Sequence, residues 1–406
     1  MLNRMLECQL WLTEPAVTVA MRHNLCRPDR LAPCLARKPW RFVALAAHIV
    51  LMSVAASTAA AEHAPFVNEQ YDLVTVGPGI YAFISPESDS GVVGSNCTLI
   101  VGKDAALLVD TTEFPSLAKR ILGDIRKLTS VPIRYVVNTH WHLDHVWGNQ
   151  VFRDTYPGVA FISTEFTRQM DETQAPKILA TQPEERRKLA AQTRHSLEIG
   201  KLSSGAKIPP ATKARLTRLA DTLDFIAPDL AATINVLPTI GFEGALSVNL
   251  GDRIVKIMWL GRANTGGDAF IFVPDAQVLL TGDAVAAPTP FAFGSYISEW
   301  PAVLQTALAL NPRVIIPGHG PVMHDSAYVQ LEIEALQAVW QQVKQCVLDG
   351  LTLEQTHKKV TLDELARRFA SSDELRMGGF RDDFLQPAID RAFQEATGKL
   401  KPEEEE

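Results

Sequence analysis

The feature that most constrains this chain is a run of three histidines and one aspartate within six residues: His140, His142, Asp144 and His145. It directly follows Ile133 to Val137, a short β-branched stretch that predicts a strand. Side chains this close in sequence converge on a metal ion only where the backbone turns sharply, and the end of a strand provides such a turn. Three of the chain's 10 histidines lie here, which favours a metal site over a chance surface cluster.

Two later positions have the same setting. Asp283 follows Leu280, Thr281 and Gly282, and His319 lies between two glycines just after a short apolar stretch. Glycine lets the backbone approach a neighbouring group closely. Either residue alone is consistent with an ordinary turn, but together with the first cluster we expect both to be metal ligands.

These motifs resemble the metallo-β-lactamase superfamily. The family's HxHxDH signature, its later histidine-containing turn, its TGD aspartate and its PGHG histidine match, in this order, 140–145, 261–268, 281–283 and 317–320. The resemblance covers roughly residues 70 to 325. It implies an α/β fold, the αββα four-layer sandwich, with the site along one edge of two sheets.

The resemblance also implies the ligands. It assigns His140 and His142 to metal site 1. Metal site 2 would consist of Asp144, His145 and His319, and Asp283 would bridge the two sites. One position departs from the family pattern, because Asn264 stands where a third site 1 histidine is usual. An amide oxygen binds zinc less well than imidazole. We therefore expect Asn264 to be a weak ligand, with one tight Zn²⁺ and a second metal that is weak or absent.

The expected function is that of a zinc-dependent hydrolase acting on a small molecule. Metal-bound hydroxide would cleave an ester, thioester, lactone or amide bond, with β-lactams among the candidates. Asp144 and Asp283 are the expected catalytic residues, since either could hold and deprotonate the attacking water. By resemblance, aspartate at position 283 is typical of glyoxalase II-like hydrolases, whereas β-lactamases of this fold commonly carry cysteine or serine there.

Two other functions remain open. His140, His142 and Asp283 form a two-histidine, one-carboxylate set of the kind that holds non-haem iron, which would suit an enzyme similar to the persulfide dioxygenases of this fold. Alternatively, the chain binds metal without catalysis. Chelator-sensitive hydrolysis would distinguish a hydrolase from a binding protein, and iron with oxygen consumption would identify a dioxygenase.

The first 61 residues predict a secretory signal peptide and therefore a periplasmic or secreted protein. Arg37, Lys38 and Arg41 precede an apolar run over 42–54, and small residues follow it. The run is shorter than the ~20 residues of a membrane-spanning helix, so we expect no stable insertion of the mature chain. This segment carries seven Lys or Arg against three Asp or Glu, so its removal changes the net charge from −7 to −11. An acidic body excludes nucleic acid as an expected partner.

The rest of the chain contains segments of different sequence pattern. Strand-like segments dominate 72–163 and 234–320, and charged helix-forming sequence lies between them at about 165–228. We expect a catalytic domain over 62–325 that contains this helical insertion, followed by a helical region over 326–406. The pattern gives no oligomeric state.

Three shorter segments carry local signals. Ile234 to Leu237 is β-branched and apolar, which predicts a strand. The aromatic segment 288–296 is not periodic, and we expect it to form an apolar wall of the substrate pocket. The run of glutamates from Glu403 to Glu406 predicts a solvated tail.

Overall fold

The computed structural model describes residues 71–86, 94–202, 205–371, 373–400 and 403. The predicted signal peptide over residues 1–61 lies outside the described residues. Among the helices of the described part, none is both long and apolar enough to cross a membrane.

Two β-sheets form the centre of the molecule. The first has seven strands in the order of the chain: β1 (Asp72–Gly77), β2 (Ile80–Ile84), β3 (Cys97–Val101), β4 (Ala106–Val109), β5 (Ile133–Val137), β6 (Ala160–Thr164) and β7 (Ile240–Phe242). The second has five strands in the order β12-β11-β10-β9-β8: β8 (Ala245–Asn249), β9 (Ile254–Trp259), β10 (Ala269–Val273), β11 (Val278–Ala286) and β12 (Val314–His319).

Helices cover the outer face of each sheet. They are α1 (Pro115–Leu128), α2 (Leu143–Val146), α3 (Asn149–Thr155), α4 (Glu165–Thr173), α5 (Ala175–Ile199), α6 (Pro210–Ala232), α7 (Trp300–Leu308), α8 (Ala327–Leu348), α9 (Leu353–Lys359), α10 (Asp363–Ala370), α11 (Glu374–Gly379) and α12 (Gln386–Ala396), with a π-helix over Phe380–Leu385. Helices α4 to α6 lie between β6 and β7 in the chain, in the region of the predicted insertion.

The central strands are buried on both faces, which explains their continuous apolar sequence. In β4, Leu107 belongs to the apolar cluster between the sheets, whereas its neighbour Leu108 packs with Leu117 of α1. On the far side, Phe270 of β10 packs with Leu336 of α8. Successive side chains of a strand point to opposite faces, so three apolar layers separate four structural layers. The predicted αββα sandwich is confirmed.

Parallel pairing brings the predicted site residues to one edge. Strand β4 pairs in parallel with β5, and β11 pairs in parallel with β12. The loops after β4 and β5, the latter half of β11 and the end of β12 therefore meet where these strands finish. Ligands collect at the carboxyl ends of parallel strands in α/β sheets.

Two local predictions were wrong. Ile234 to Leu237 forms no strand: the backbone N–H of Ile234 donates to the Gln150 side chain at 2.7 Å, and Pro238, which lacks a backbone donor, follows Leu237. The predicted solvated tail is wrong at Glu403, which is only 3% exposed. Burial of this residue depends on contacts with segments more than a hundred residues away, which charge patterning does not reveal.

Candidate metal centre

The histidine run occupies a short loop and the helix that follows it. His142 is the N-cap residue of α2, so Asp144 and His145 lie in the first turn of that helix. The side-chain amide of Asn138, directly after β5, donates to the backbone carbonyl of His145 at 3.2 Å. This bond ties the end of the strand to the helix, and it turns the chain so that side chains two to five residues apart reach one point.

Glycines let the second sheet approach this loop. A Cβ atom on Gly318 would lie 2.0 Å from Oδ1 of Asp283, and one on Gly282 would lie 2.6 Å from the side chain of Thr139. Gly282 also has a φ of +52°, a conformation that L side chains rarely adopt. Both positions therefore require glycine, because any side chain would separate Asp283 from the histidine loop.

Five of the six predicted ligands form two overlapping groups of donor atoms. His140, His145 and Asp283 make one group, and Asp144, His145 and His319 make the other, with the atoms of each group within 4.8 Å of one another. Nε2 of His319 lies 3.0 Å from Oδ2 of Asp144, and Nε2 of His145 lies 3.2 Å from Oδ1 of Asp283. The second group is the predicted site 2, and His145 belongs to both.

The donor atoms fit a bound cation. Four buried atoms have no hydrogen-bond partner among the described residues: Nε2 of His140, Nε2 of His145, Oδ2 of Asp144 and Oδ1 of Asp283. Buried polar atoms are almost always satisfied, so four such atoms facing one another need a common partner. Imidazole nitrogen and carboxylate oxygen are typical ligands of zinc.

The charges of the cluster support the same conclusion. Burial disfavours the imidazolium form, yet the carboxylates of Asp144, Asp283 and Asp110 outweigh it and hold the pKa of His145 well above its usual value. Burial is likewise outweighed at His319, where Asp283 and Asp144 raise the pKa to about 10. In the absence of metal, the protonated imidazoles of His145 and His319 therefore balance the charge of the ionised carboxylates, and a bound cation would displace those protons.

His142 belongs to neither group, and Asn264 is a side-chain amide, outside the histidine and carboxylate donors that make up the groups. The ring of His142 packs edge-on against that of His140, with centroids 4.5 Å apart, and burial lowers its pKa to about 4, leaving a neutral imidazole. Asn264 is fully buried; its Nδ2 donates to the carbonyl of Phe291, while its Oδ1 has no hydrogen-bond partner among the described residues. Their assignment to site 1 stays a prediction.

Asp110, which the sequence analysis missed, orients two of the histidines. Its Oδ2 lies 2.8 Å from Nδ1 of His145 and also accepts from the Thr139 hydroxyl, which in turn lies 3.0 Å from Nδ1 of His140. A proton held at each Nδ1 leaves each Nε2 free for metal, the usual role of a carboxylate behind a histidine ligand. The signal available in the sequence was position, since Asp110 directly follows the apolar stretch that forms β4.

The loop that carries Asn264 is held by Asp268. This buried carboxylate accepts from the backbone N–H of Thr265 at 2.7 Å and from its hydroxyl at 2.8 Å. Burial raises the pKa of Asp268 to about 7. The aromatic segment 288–296 packs beside this loop, with the N–H of Tyr296 donating to the carbonyl of Ala263 at 2.9 Å. Its predicted role as a pocket wall stays a prediction.

The helical insertion also reaches the site. Arg186 of α5 donates to Glu113 at 2.5 Å, and both side chains are buried. Burial raises the pKa of Glu113 to about 7 against the opposing effect of Arg186, and the charge of Asp144 contributes to the rise. This ion pair fixes α5 to the loop after β4, which also carries Asp110.

Comparison with known proteins gives a family and several similar structures. The family model of the metallo-beta-lactamase superfamily matches residues 90–319, more than half of the chain. The linear primary-alkylsulfatase of Pseudomonas sp. (strain ATCC 19151) is 23% identical over 289 residues, which are 65% of this chain and 49% of that protein. This chain thus spans about half the length of that curated relative.

Among solved structures, a metallo-beta-lactamase from Pontibacter korlensis is 17% identical with a TM-score of 0.45, covering 66% of this chain and 99% of its own. The DIM-1 metallo-beta-lactamase is also 17% identical, with a TM-score of 0.43 and coverage of 66% and 96%. The family match spans the histidine run, Asp283 and His319. The chain belongs to the metallo-beta-lactamase superfamily.

Proposed function

We propose that this protein is a zinc-dependent hydrolase of a small molecule. The observation that carries the proposal is the pair of donor groups that share His145, in which buried nitrogen and oxygen atoms face one another without hydrogen bonds. A bound Zn²⁺ supplies Lewis acidity and lowers the pKa of its water from 15.7 to ~7. Hydrolysis at neutral pH then requires no nucleophilic side chain.

The chain's own residues orient the imidazole ligands and accept a proton from the attacking water. Asp110 accepts a hydrogen bond from Nδ1 of His145, so the lone pair of Nε2 stays available to a metal. We assign proton acceptance from the attacking water to Asp283, whose carboxylate lies within the donor cluster. The imidazoles of His319 and His145 outweigh the effect of burial and hold the pKa of Asp283 well below its usual value. The carboxylate is thus ionised in the metal-free cluster.

The substrate class we propose is an ester in the broad sense, either carboxylic or sulfuric. Aspartate at position 283 favours the general hydrolases of this superfamily over its β-lactamases, by the resemblance stated above. The alkylsulfatase relative adds sulfate esters to the esters, thioesters and lactones expected from the sequence. All are cleaved by attack of water on an electrophilic centre that a metal can polarise.

The test combines metal analysis with a substrate panel. The full chain is purified, its metal content is measured, and hydrolysis of a primary alkyl sulfate, a lactone, a thioester and a chromogenic β-lactam is followed with and without chelator. His145→Ala should abolish both metal binding and turnover. His195→Ala is the matched control, because that side chain is 70% exposed on α5 and its loss should change neither.

Two results would reject the proposal. The group of His140, His145 and Asp283 contains two imidazoles and one carboxylate, the donor set of non-haem iron enzymes. Iron as the purified metal, with oxygen consumption and no hydrolysis, would show the dioxygenase-like alternative. A zinc-loaded protein inactive on the whole panel would favour a metal-binding protein without catalysis.

A further inference from the structure

Glu403 connects two loops of the metal centre from the far end of the chain. Its Oε2 accepts from the indole N–H of Trp141 at 2.9 Å, and its Oε1 accepts from the backbone N–H of Gly266 at 2.7 Å. The side chain is 3% exposed. Trp141 and Gly266 lie 262 and 137 residues before it, so the contact depends wholly on the tertiary fold.

The two loops are those that carry the predicted site 1. Trp141 lies between His140 and His142 in the histidine run, and Gly266 is two residues after Asn264. The carbonyl of Gly266 is held separately, by the indole N–H of Trp259 at 3.1 Å. One carboxyl group therefore bridges the histidine run and the loop of Asn264, beside the backbone hydrogen bond from the N–H of Ala269 to the carbonyl of Thr139 at 2.8 Å.

We propose that Glu403 is a positioning residue for metal site 1. This inference uses the proposed function only in so far as site 1 binds metal. The predicted site 1 has two histidines and an asparagine in place of a third, so its affinity should depend more than usual on how well its ligands are placed. Residues that orient ligands without touching metal typically contribute 10–100-fold to metal affinity, and Glu403 orients both ligand-bearing loops at once.

The two acceptor atoms of Glu403 suggest a graded set of variants. Glu403→Ala removes both hydrogen bonds. Glu403→Gln keeps the shape but retains only one acceptor oxygen, because an amide NH₂ cannot accept from an N–H group. Trp141→Phe removes the indole donor while keeping an aromatic ring. If Glu403 acts through Trp141, the double variant should lose little more than the single variants.

Glu395 provides a matched control. It is another carboxylate of the C-terminal helical region, and it accepts from the backbone N–H groups of Ile297 at 2.6 Å and Ser298 at 3.1 Å. It thus also joins the C-terminal helical region to another segment by hydrogen bonds, but not to the loops of Trp141 and Gly266. Glu395→Ala should lower thermal stability but leave metal binding unchanged.

The measurement is stepwise Zn²⁺ titration of the metal-free full chain against a competing chelator, beside thermal unfolding. We expect two binding steps in the wild type, at least a tenfold weakening of the weaker step in Glu403→Ala, a smaller weakening in Glu403→Gln, and no change in the tighter step. Should the alanine variant fail to fold, the glutamine variant and Trp141→Phe carry the test. A wild type with a single binding step, equal loss at both steps, or an affinity loss matched by Glu395→Ala would overturn the proposal. Two-step binding without hydrolysis would reject the hydrolase but not this role.

Discussion

Asp110→Asn is the substitution that tests the geometry of the centre most directly. Oδ1 of Asp110 accepts from the backbone N–H of Thr139 at 2.8 Å. The amide oxygen of asparagine must keep that position, so the NH₂ group takes the place of Oδ2 beside His145. It then donates to Nδ1 of His145, which moves the imidazole proton to Nε2 and blocks that nitrogen as a ligand.

The same change reaches His140. In the wild type the hydroxyl of Thr139 donates to Asp110 and accepts from Nδ1 of His140. Beside an asparagine NH₂ the hydroxyl accepts instead and turns its proton toward His140, which disfavours the tautomer with a free Nε2. Each ligand partner is worth about 10–100-fold in affinity, so two inverted imidazoles predict at least a hundredfold weaker zinc binding, about 2.7 kcal/mol.

The assay is chelator competition on metal-free protein, with Asp268→Asn as the control. Asp268 is an equally buried carboxylate that accepts from the backbone N–H and hydroxyl of Thr265, and within the described part of the chain it has no hydrogen bond to an imidazole. Asp268→Asn should lower the stability of the protein without changing its affinity for the tightly bound metal. Wild-type zinc affinity in Asp110→Asn, or the same affinity loss in both variants, would refute the tautomer argument.

Two further predictions concern packing and pH. Gly318→Ala places a methyl group 2.0 Å from Oδ1 of Asp283, so it should cost several kcal/mol of unfolding free energy and abolish metal binding. Gly123→Ala, in open space on α1, should be neutral or stabilising by about 0.5–1 kcal/mol. Thermal unfolding and zinc titration measure both effects, and equal stability and zinc binding in the two variants would contradict the packing argument. Burial raises the pKa of Glu403 from 4.5 to about 8, so its contribution to stability is full below pH 4.5 and is lost as pH rises through 8. Denaturant unfolding of the metal-free chain should therefore show a stability decline between pH 5 and 8 that is flatter in Glu403→Ala, and an equal slope in both proteins would contradict the assignment.

The sequence by itself determined most of the architecture and the candidate ligands. Short apolar stretches bounded by turn residues predicted the strands, because such a stretch and its flanking turn residues are local properties of the sequence. The histidine run, Asp283 and His319 stand at strand ends beside glycines, so their positions carried the signal for a metal centre. Asn264 stood out only as a departure from the pattern of the family that the motifs resemble.

Only the tertiary structure decided which groups act together. The bonds of Asp110 to His145 and of Glu403 to Trp141 join residues 35 and 262 apart, and no periodicity links such positions. The sharing of His145 between two donor groups, and the absence of His142 from both, depend on side-chain directions set by the contact between two sheets. Sequence patterns report which face of an element is apolar, whereas ångström-scale placement of polar atoms follows from the packing of segments remote in the chain.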